Sequence, residues 1–107
     1  MHIERVDVTP KKDVYNPGDT LDVAVLFRER FIGQCDAGLR RRDATRPDER
    51  GLSAFRRSTD TLYEGQVSAR QDLIGSCILV VRLSPVGGRP LEIPIGDEIY
   101  EIRPVRP

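Results

Sequence analysis

The chain has no Trp, one Met, one His, two Cys and two Lys, and aromatic residues make up only 6% of it. Each scarcity excludes something. Two cysteines, Cys35 and Cys77, are too few and too far apart for a disulfide scaffold or a zinc site. A catalytic cysteine needs a neighbouring base, and the one imidazole, His2, lies at the N-terminal end. No catalytic residue, cofactor or resident metal is therefore assigned. The longest apolar run is CILVV at 77–81, far short of the roughly 18 residues of a membrane helix, so no membrane insertion is expected. The first ten residues, MHIERVDVTP, lack the apolar core of a signal peptide. The sequence reads as cytoplasmic as written, or as a domain of a longer secreted or cell-surface protein.

What is present suits one domain spanning residues 1–107. Hydrophobic residues at 38% and charged residues at 32% describe a soluble globular chain. Seventeen basic residues balance seventeen acidic ones, so no global field draws the molecule to nucleic acid or an anionic membrane. Fifteen of the seventeen basic residues are Arg, a bias that leans towards a GC-rich bacterial genome.

The stretch VYNPGDTLDVAVLF at 14–27 sets the architecture. Pro17 fixes φ and Gly18 accepts a positive φ, as a type II turn requires. After the turn, Leu21, Val23, Val25 and Phe27 fall on one face of a period-two strand, and Asp22, Ala24, Leu26 and Arg28 on the other. The pattern recurs. IERVDVT (3–9) is a strand ending at Pro10. QCDAGLRRR (34–42) places Cys35, Ala37 and Leu39 on one face, and DTLYEGQVSAR (60–70) sends Tyr63, Val67 and Ala69 inward. GSCILVVRL (75–83) aligns Cys77, Leu79, Val81 and Leu83, and Gly87-Gly88 is a hairpin signal. PLEIPI and DEIYEIRPV close the chain, with Pro94 marking an edge or a bulge. No window carries a helical stripe. The expectation is an all-β, immunoglobulin-like Greek-key sandwich of about seven strands. Its core should hold Leu21, Val23, Val25, Phe27, Leu39, Tyr63, Val67, Leu79, Val81 and Leu83. The charged segment 42–59 reads as the connection between sheets, with a short strand around 52–57.

The Y-x-P-G-D opening at 15–19 and the strand to Val25 resemble the first turn and strand of bacterial immunoglobulin-like domains. Y-E-G-x-V at 63–67 and G-x-C-x-L-x-V-x-L at 75–83, followed by a Gly-rich hairpin, resemble filamin-type repeats and accessory domains of bacterial surface proteins. A narrower resemblance is to the carbohydrate-binding C-terminal domains of O-antigen ABC exporters. The chain departs from the pattern in carrying Cys77 where an aromatic usually stands, in placing Cys35 on the third strand, and in lacking Trp. What the resemblance implies is a binding or accessory module.

Three groups of residues carry the candidate chemistry. If the third and sixth strands are neighbours, Cys35 and Cys77 could form a disulfide closing a loop of about 43 residues, worth roughly 4 kcal/mol; otherwise they are two reduced core thiols. Seven Arg lie between 40 and 57 against Asp43, Asp48 and Glu49. Of these, Arg40, Arg42, Arg46, Arg50, Arg56 and Arg57 are the candidate contacts for phosphate, sulfated glycan or an acidic partner. The alternative is a solvated loop whose charges pair among themselves. Only Phe55 is near for base stacking, which argues against nucleic acid. Asp13, Asp19, Asp22, Asp97 and Glu98 offer oxygens to calcium, but none has EF-hand spacing and turn-forming Asp accounts for them. Leu26, Ile78 and Val80 fall on nominally outward faces, covered either by a partner or by the chain itself.

These residues favour a non-catalytic module that engages a protein or glycan through a sheet face or the 40–57 connection. An edge strand or the outward apolar face would also allow homo-oligomers. The alternative is a structural spacer of a multidomain surface protein, supported by the Pro-rich RPVRP at 103–107.

Overall fold

The computed structural model describes residues 2–43, 51–70 and 73–104. Among them the regular structure is all strand: β1 (Ile3–Thr9), β2 (Val14–Tyr15), β3 (Thr20–Phe27), β4 (Gly33–Arg41), β5 (Ser53–Ala54), β6 (Arg56–Arg57), β7 (Leu62–Ser68), β8 (Gly75–Pro85) and β9 (Leu91–Ile102). The first sheet has the order β1-β3-β7-β6 and the second β2-β9-β8-β4-β5, giving a sandwich-like all-β fold. Nine strand segments stand among the described residues where about seven were expected. The further segments arise because β2 splits off after Pro10 and because the crossing pairs with both sheets in turn.

The period-two pattern sets which side chains meet. In the first sheet Val6 lies opposite Val25 and Val25 opposite Tyr63, while Leu21 faces Val67. In the second, Ala37 meets Val81, which meets Ile93, and Leu39 meets Leu79, which meets Ile95. All ten residues expected in the core are buried there. Burial of such aliphatic side chains contributes roughly 1.5–3 kcal/mol each. Phe27, Phe31 and Tyr63 form an aromatic cluster at one end, with ring centroids 4.9–5.5 Å apart. The Tyr63 hydroxyl donates to the Phe31 carbonyl at 2.9 Å, which satisfies its buried polar end.

The opening turn forms as its residues dictate. The Asp19 N–H donates to the Asn16 carbonyl at 3.0 Å, and Gly18 takes a φ of 93°. The turn is tied to the end of β7, where the Gly18 N–H donates to the Ala69 carbonyl and the Ala69 N–H to the Asp19 carbonyl. The β8–β9 hairpin is also where the glycines put it: Gly87 has a φ of 75° and the Gly88 N–H reaches the Pro85 carbonyl at 3.1 Å. Pro94 lies on β9 opposite Val80, and β2 pairs with β9 only at Glu101 and Ile102, so Pro94 sits on an edge. A register shift follows it, between Cys77 and Leu79 on the β8 side.

The crossing turns on one residue. β5 pairs with β4 and β6 pairs with β7, so the chain changes sheets at Phe55. The Phe55 N–H donates to the Cys35 carbonyl at 2.8 Å and its ring enters the core. The space it fills belongs to Gly65: a Cβ on that glycine would lie 2.3 Å from the Phe55 ring. Nearby, a Cβ on Gly38 would meet the Gly51 carbonyl at 2.2 Å, so residues 51–52 lie across the outer side of β4. Gly38 is the register partner of Val80. Val80 and Ile78, on a nominally outward face, are only 4% and 9% exposed, and Leu26 is half-buried. The chain itself covers this face of the second sheet, whereas Leu26 belongs to the first.

Gly65→Ala should destabilise the protein by about 1–3 kcal/mol through overpacking, and Phe55→Ala by about 3–5 kcal/mol. With the ring gone, Gly65→Ala should become nearly neutral. Urea denaturation of the double-mutant cycle checks this, and additive costs would mean that the ring does not occupy that space.

The opening turn also predicts a pH dependence. Asp19 accepts the Asn16 N–H at 2.9 Å and lies 3.5 Å from the Lys12 ammonium. The backbone hydrogen bond above all, aided by Lys12, holds its carboxyl below the ordinary 3.8. A lowered folded-state pKa adds stability above the unfolded value and loses it as pH falls through the folded value. Asp19→Asn should therefore be less stable than the parent at neutral pH, and the gap should close as pH drops below 3.8. Urea midpoints across that range read the effect; a gap independent of pH would assign it to shape rather than charge.

Candidate functional site

The Arg group splits between the two sheets. Arg40 projects from the outer side of β4 opposite Ile78, and its Nε is buried without a hydrogen bond among the described residues. Arg42 follows β4, and its N–H donates to the Ser76 carbonyl at 2.8 Å. With Arg41, Asp43 and Ser76 it lines an open depression of about 460 Å³. Arg41 is already committed to Asp43 at 3.2 Å. Arg56 and Arg57 belong to β6 on the other sheet, in register with Glu64 and Tyr63. Arg57 pairs with Asp60, which Arg30 also approaches at 3.8 Å, and the Arg57 hydrogen bond holds the Asp60 carboxyl below its ordinary range. Arg46 and Arg50 lie outside the described residues. Arg40 and Arg42 therefore share one end of the second sheet, while Arg56 and Arg57 form an edge of the first.

Arg56 takes part in a different site, which the sequence did not single out. On the outer face of the first sheet, Ala24 is flanked in register by Asp7 and Glu64, with Asp22 and Gln66 in the next row. The small Ala24 side chain leaves a hollow of about 570 Å³ among Asp7, Asp22, Glu64, Gln66 and Arg56. Its polar groups are partly prearranged. The Gln66 amide donates to Asp22 at 3.1 Å, Ser58 Oγ donates to Glu64 at 2.7 Å, and Arg5 pairs with Asp7 at 2.9 Å. The signal was the alternation itself, since the outward positions of β1, β3 and β7 carry carboxylates around one alanine.

A second groove, of about 470 Å³, runs between β1 and β9. Ile3, Val6, Ile93, Ile95 and Tyr100 line it, with Glu4, Arg5 and Glu98 at the rim. Three of the five carboxylates suggested for calcium are engaged elsewhere: Asp19 by Asn16 and Lys12, Asp22 by Gln66, and Glu98 by Lys11 at 3.4 Å. Among the described residues no group of three or more His, Cys, Asp or Glu is arranged to hold a metal ion.

The two cysteines are core residues. β4 and β8 are neighbours, yet the register pairs Cys35 with Leu83 and Cys77 with Arg41. Leu83 is six residues beyond Cys77 on the same strand, a separation of about 20 Å. A disulfide needs Cα atoms within about 7 Å. Both thiols are free and fully buried. Burial, and then the charge of Asp36, pushes the Cys35 thiol up to about 12, and burial raises that of Cys77. Burial thus disfavours, at both positions, the thiolate that a nucleophile requires.

In the native protein both thiols should therefore resist a soluble disulfide reagent and react once denaturant unfolds the chain. Mild oxidation should leave the intact mass unchanged. Rapid labelling of either thiol in the folded state would contradict this burial.

No protein-family model matches the chain, and no curated protein does.

Proposed function

We propose that the chain is an immunoglobulin-like Greek-key domain that acts as a non-catalytic binding module for a glycan or a polar protein surface. The strand orders β1-β3-β7-β6 and β2-β9-β8-β4-β5, with a crossing that pairs first with one sheet and then with the other, support the fold family. The observation that carries the function is the polar hollow over Ala24, where Arg56 meets a sheet face. Its carboxylates accept hydrogen bonds, and its amide and guanidinium donate them. A surface of that kind recognises hydroxyl-rich or polar ligands by orientation. Buried thiols with raised pKa values support a role without covalent chemistry.

One observation favours the spacer reading. β1 begins beside the end of β3, β9 finishes beside the start of β8, and these points lie at opposite ends of a body 47 Å long. Domains strung in series enter and leave in this way.

An amide NMR titration with pooled neutral and sulfated glycans decides between the two. Binding at the hollow should give saturable shifts at Asp22, Ala24, Arg56 and Gln66, weakened about tenfold or more in Arg56→Ala. Saturable shifts at Arg40 and Arg42 instead would move the site to the second sheet. A flat response would overturn the glycan reading and leave a protein partner or the spacer.

A further inference from the structure

We infer that the loop end formed by residues 28–32 and 86–90 is a second docking surface, and that its partner is a protein segment carrying large apolar side chains beside carboxylates. It stands apart from the hollow over Ala24 and does not depend on it.

The apolar part has no structural task. Val86 is 78% exposed, the most exposed large hydrophobic among the described residues, and Ile32 is 46% exposed. The turn at 85–88 is set by the positive φ of Gly87 and the bond from the Gly88 N–H to the Pro85 carbonyl, and asks nothing of the Val86 side chain. Ile32 sits between Phe31, which is fully buried, and Gly33, which pairs with Pro85. The two loops are joined directly, the Val86 N–H donating to the Ile32 carbonyl at 3.3 Å. The backbone beneath Ile32 is held by the Tyr63 hydroxyl on the Phe31 carbonyl and by the stacked Phe27 and Phe31 rings. Two aliphatic side chains are therefore presented side by side on a fixed backbone, which lowers the ordering cost of binding.

The charges around them select the partner. Arg28, Arg30 and Arg89 lie on these loops, against Glu29 alone. Asp60, in the neighbouring loop, is held by Arg57 and Arg30. Arg28 and Arg89 are exposed and make no side-chain ion pair among the described residues. A guanidinium is built for bidentate contact with a carboxylate. The complement of an aliphatic pair flanked by free guanidinium groups is an apolar side chain flanked by Asp or Glu. An anionic membrane fits less well. These loops present no Trp or Tyr to the surface, and they carry fewer cations than the four to eight typical of a lipid-binding cluster.

The test is selection from a phage-displayed random peptide library on the intact protein, with phosphatidylserine vesicles as a separate arm. Enriched peptides should combine acidic residues with a large apolar one. Their affinity should fall about tenfold or more for Val86→Ser and for Arg89→Glu, with unchanged melting temperatures. Arg56→Ala should leave it intact. The proposal is overturned if no peptide is enriched, if the enriched peptides lack acidic residues, or if they are insensitive to the tip substitutions. Binding lost only in Arg56→Ala would also overturn it, placing the peptide in the hollow, and so would binding confined to vesicles.

Discussion

The Phe55 ring lies in the space that Gly65 leaves open, and the relation between the two sheets depends on that contact. A strand cannot pass from one sheet of a sandwich to the other without a residue whose backbone leaves one ladder and whose side chain still belongs to the core. Phe55 does both. Its N–H is held by the Cys35 carbonyl near the start of β4, while its ring sits against β7, in the row of Val23. Any side chain at position 65 would push the ring out. The crossing would then lose its anchor, and β5 and β6 are each only two residues long.

The charge distribution follows from the same crossing. Along the sequence the Arg residues from 40 to 57 form one block. In space the chain spends its first part on the second sheet and its last part on the first, so the block is divided. Arg40 borders the apolar Ile78 and Arg42 lies at the end of β4, whereas Arg56 and Arg57 face Glu64 and Asp60 on the other side. The resulting fields are local and mixed, with acidic partners beside Arg41 and Arg57. A mixed field of this kind contributes little to affinity at long range and much to orientation at contact.

The strands, the inward faces and the glycine turns were legible in the sequence because each is fixed by a local rule. Period two decides which of Leu21, Asp22 and Val23 points inward, and a Gly after Pro decides the turn at 16–19. Register is not local. Whether Cys35 faces Cys77 depends on how β4 slides against β8, and the slide is set by turns and packing elsewhere. Alternation shows that the two thiols share a side; it does not show that six residues separate them. Coverage is not local either. Ile78 and Val80 read as an exposed apolar face until residues 51–52 are seen lying across Gly38. The hollow over Ala24 was missed for a related reason: its residues come from four strands that are distant in sequence and adjacent only once the sheet order is known.

A non-catalytic module whose thiols are turned inward acts through its surface chemistry alone. On the proposed reading that chemistry divides into two parts with different physics. The hollow over Ala24 offers polar groups that already bond to one another, so a ligand there must replace Gln66–Asp22 and Ser58–Glu64 contacts with equivalent ones. Its selectivity is then geometric and its net energy small. The loop end offers aliphatic area and the guanidinium groups of Arg28 and Arg89, which make no ion pair among the described residues, so a ligand there gains contacts without breaking any. The first surface discriminates and the second adheres. Both sit on backbone that the Phe27, Phe31 and Tyr63 cluster and the Phe55 crossing hold rigid, so neither has to be ordered at the moment of binding.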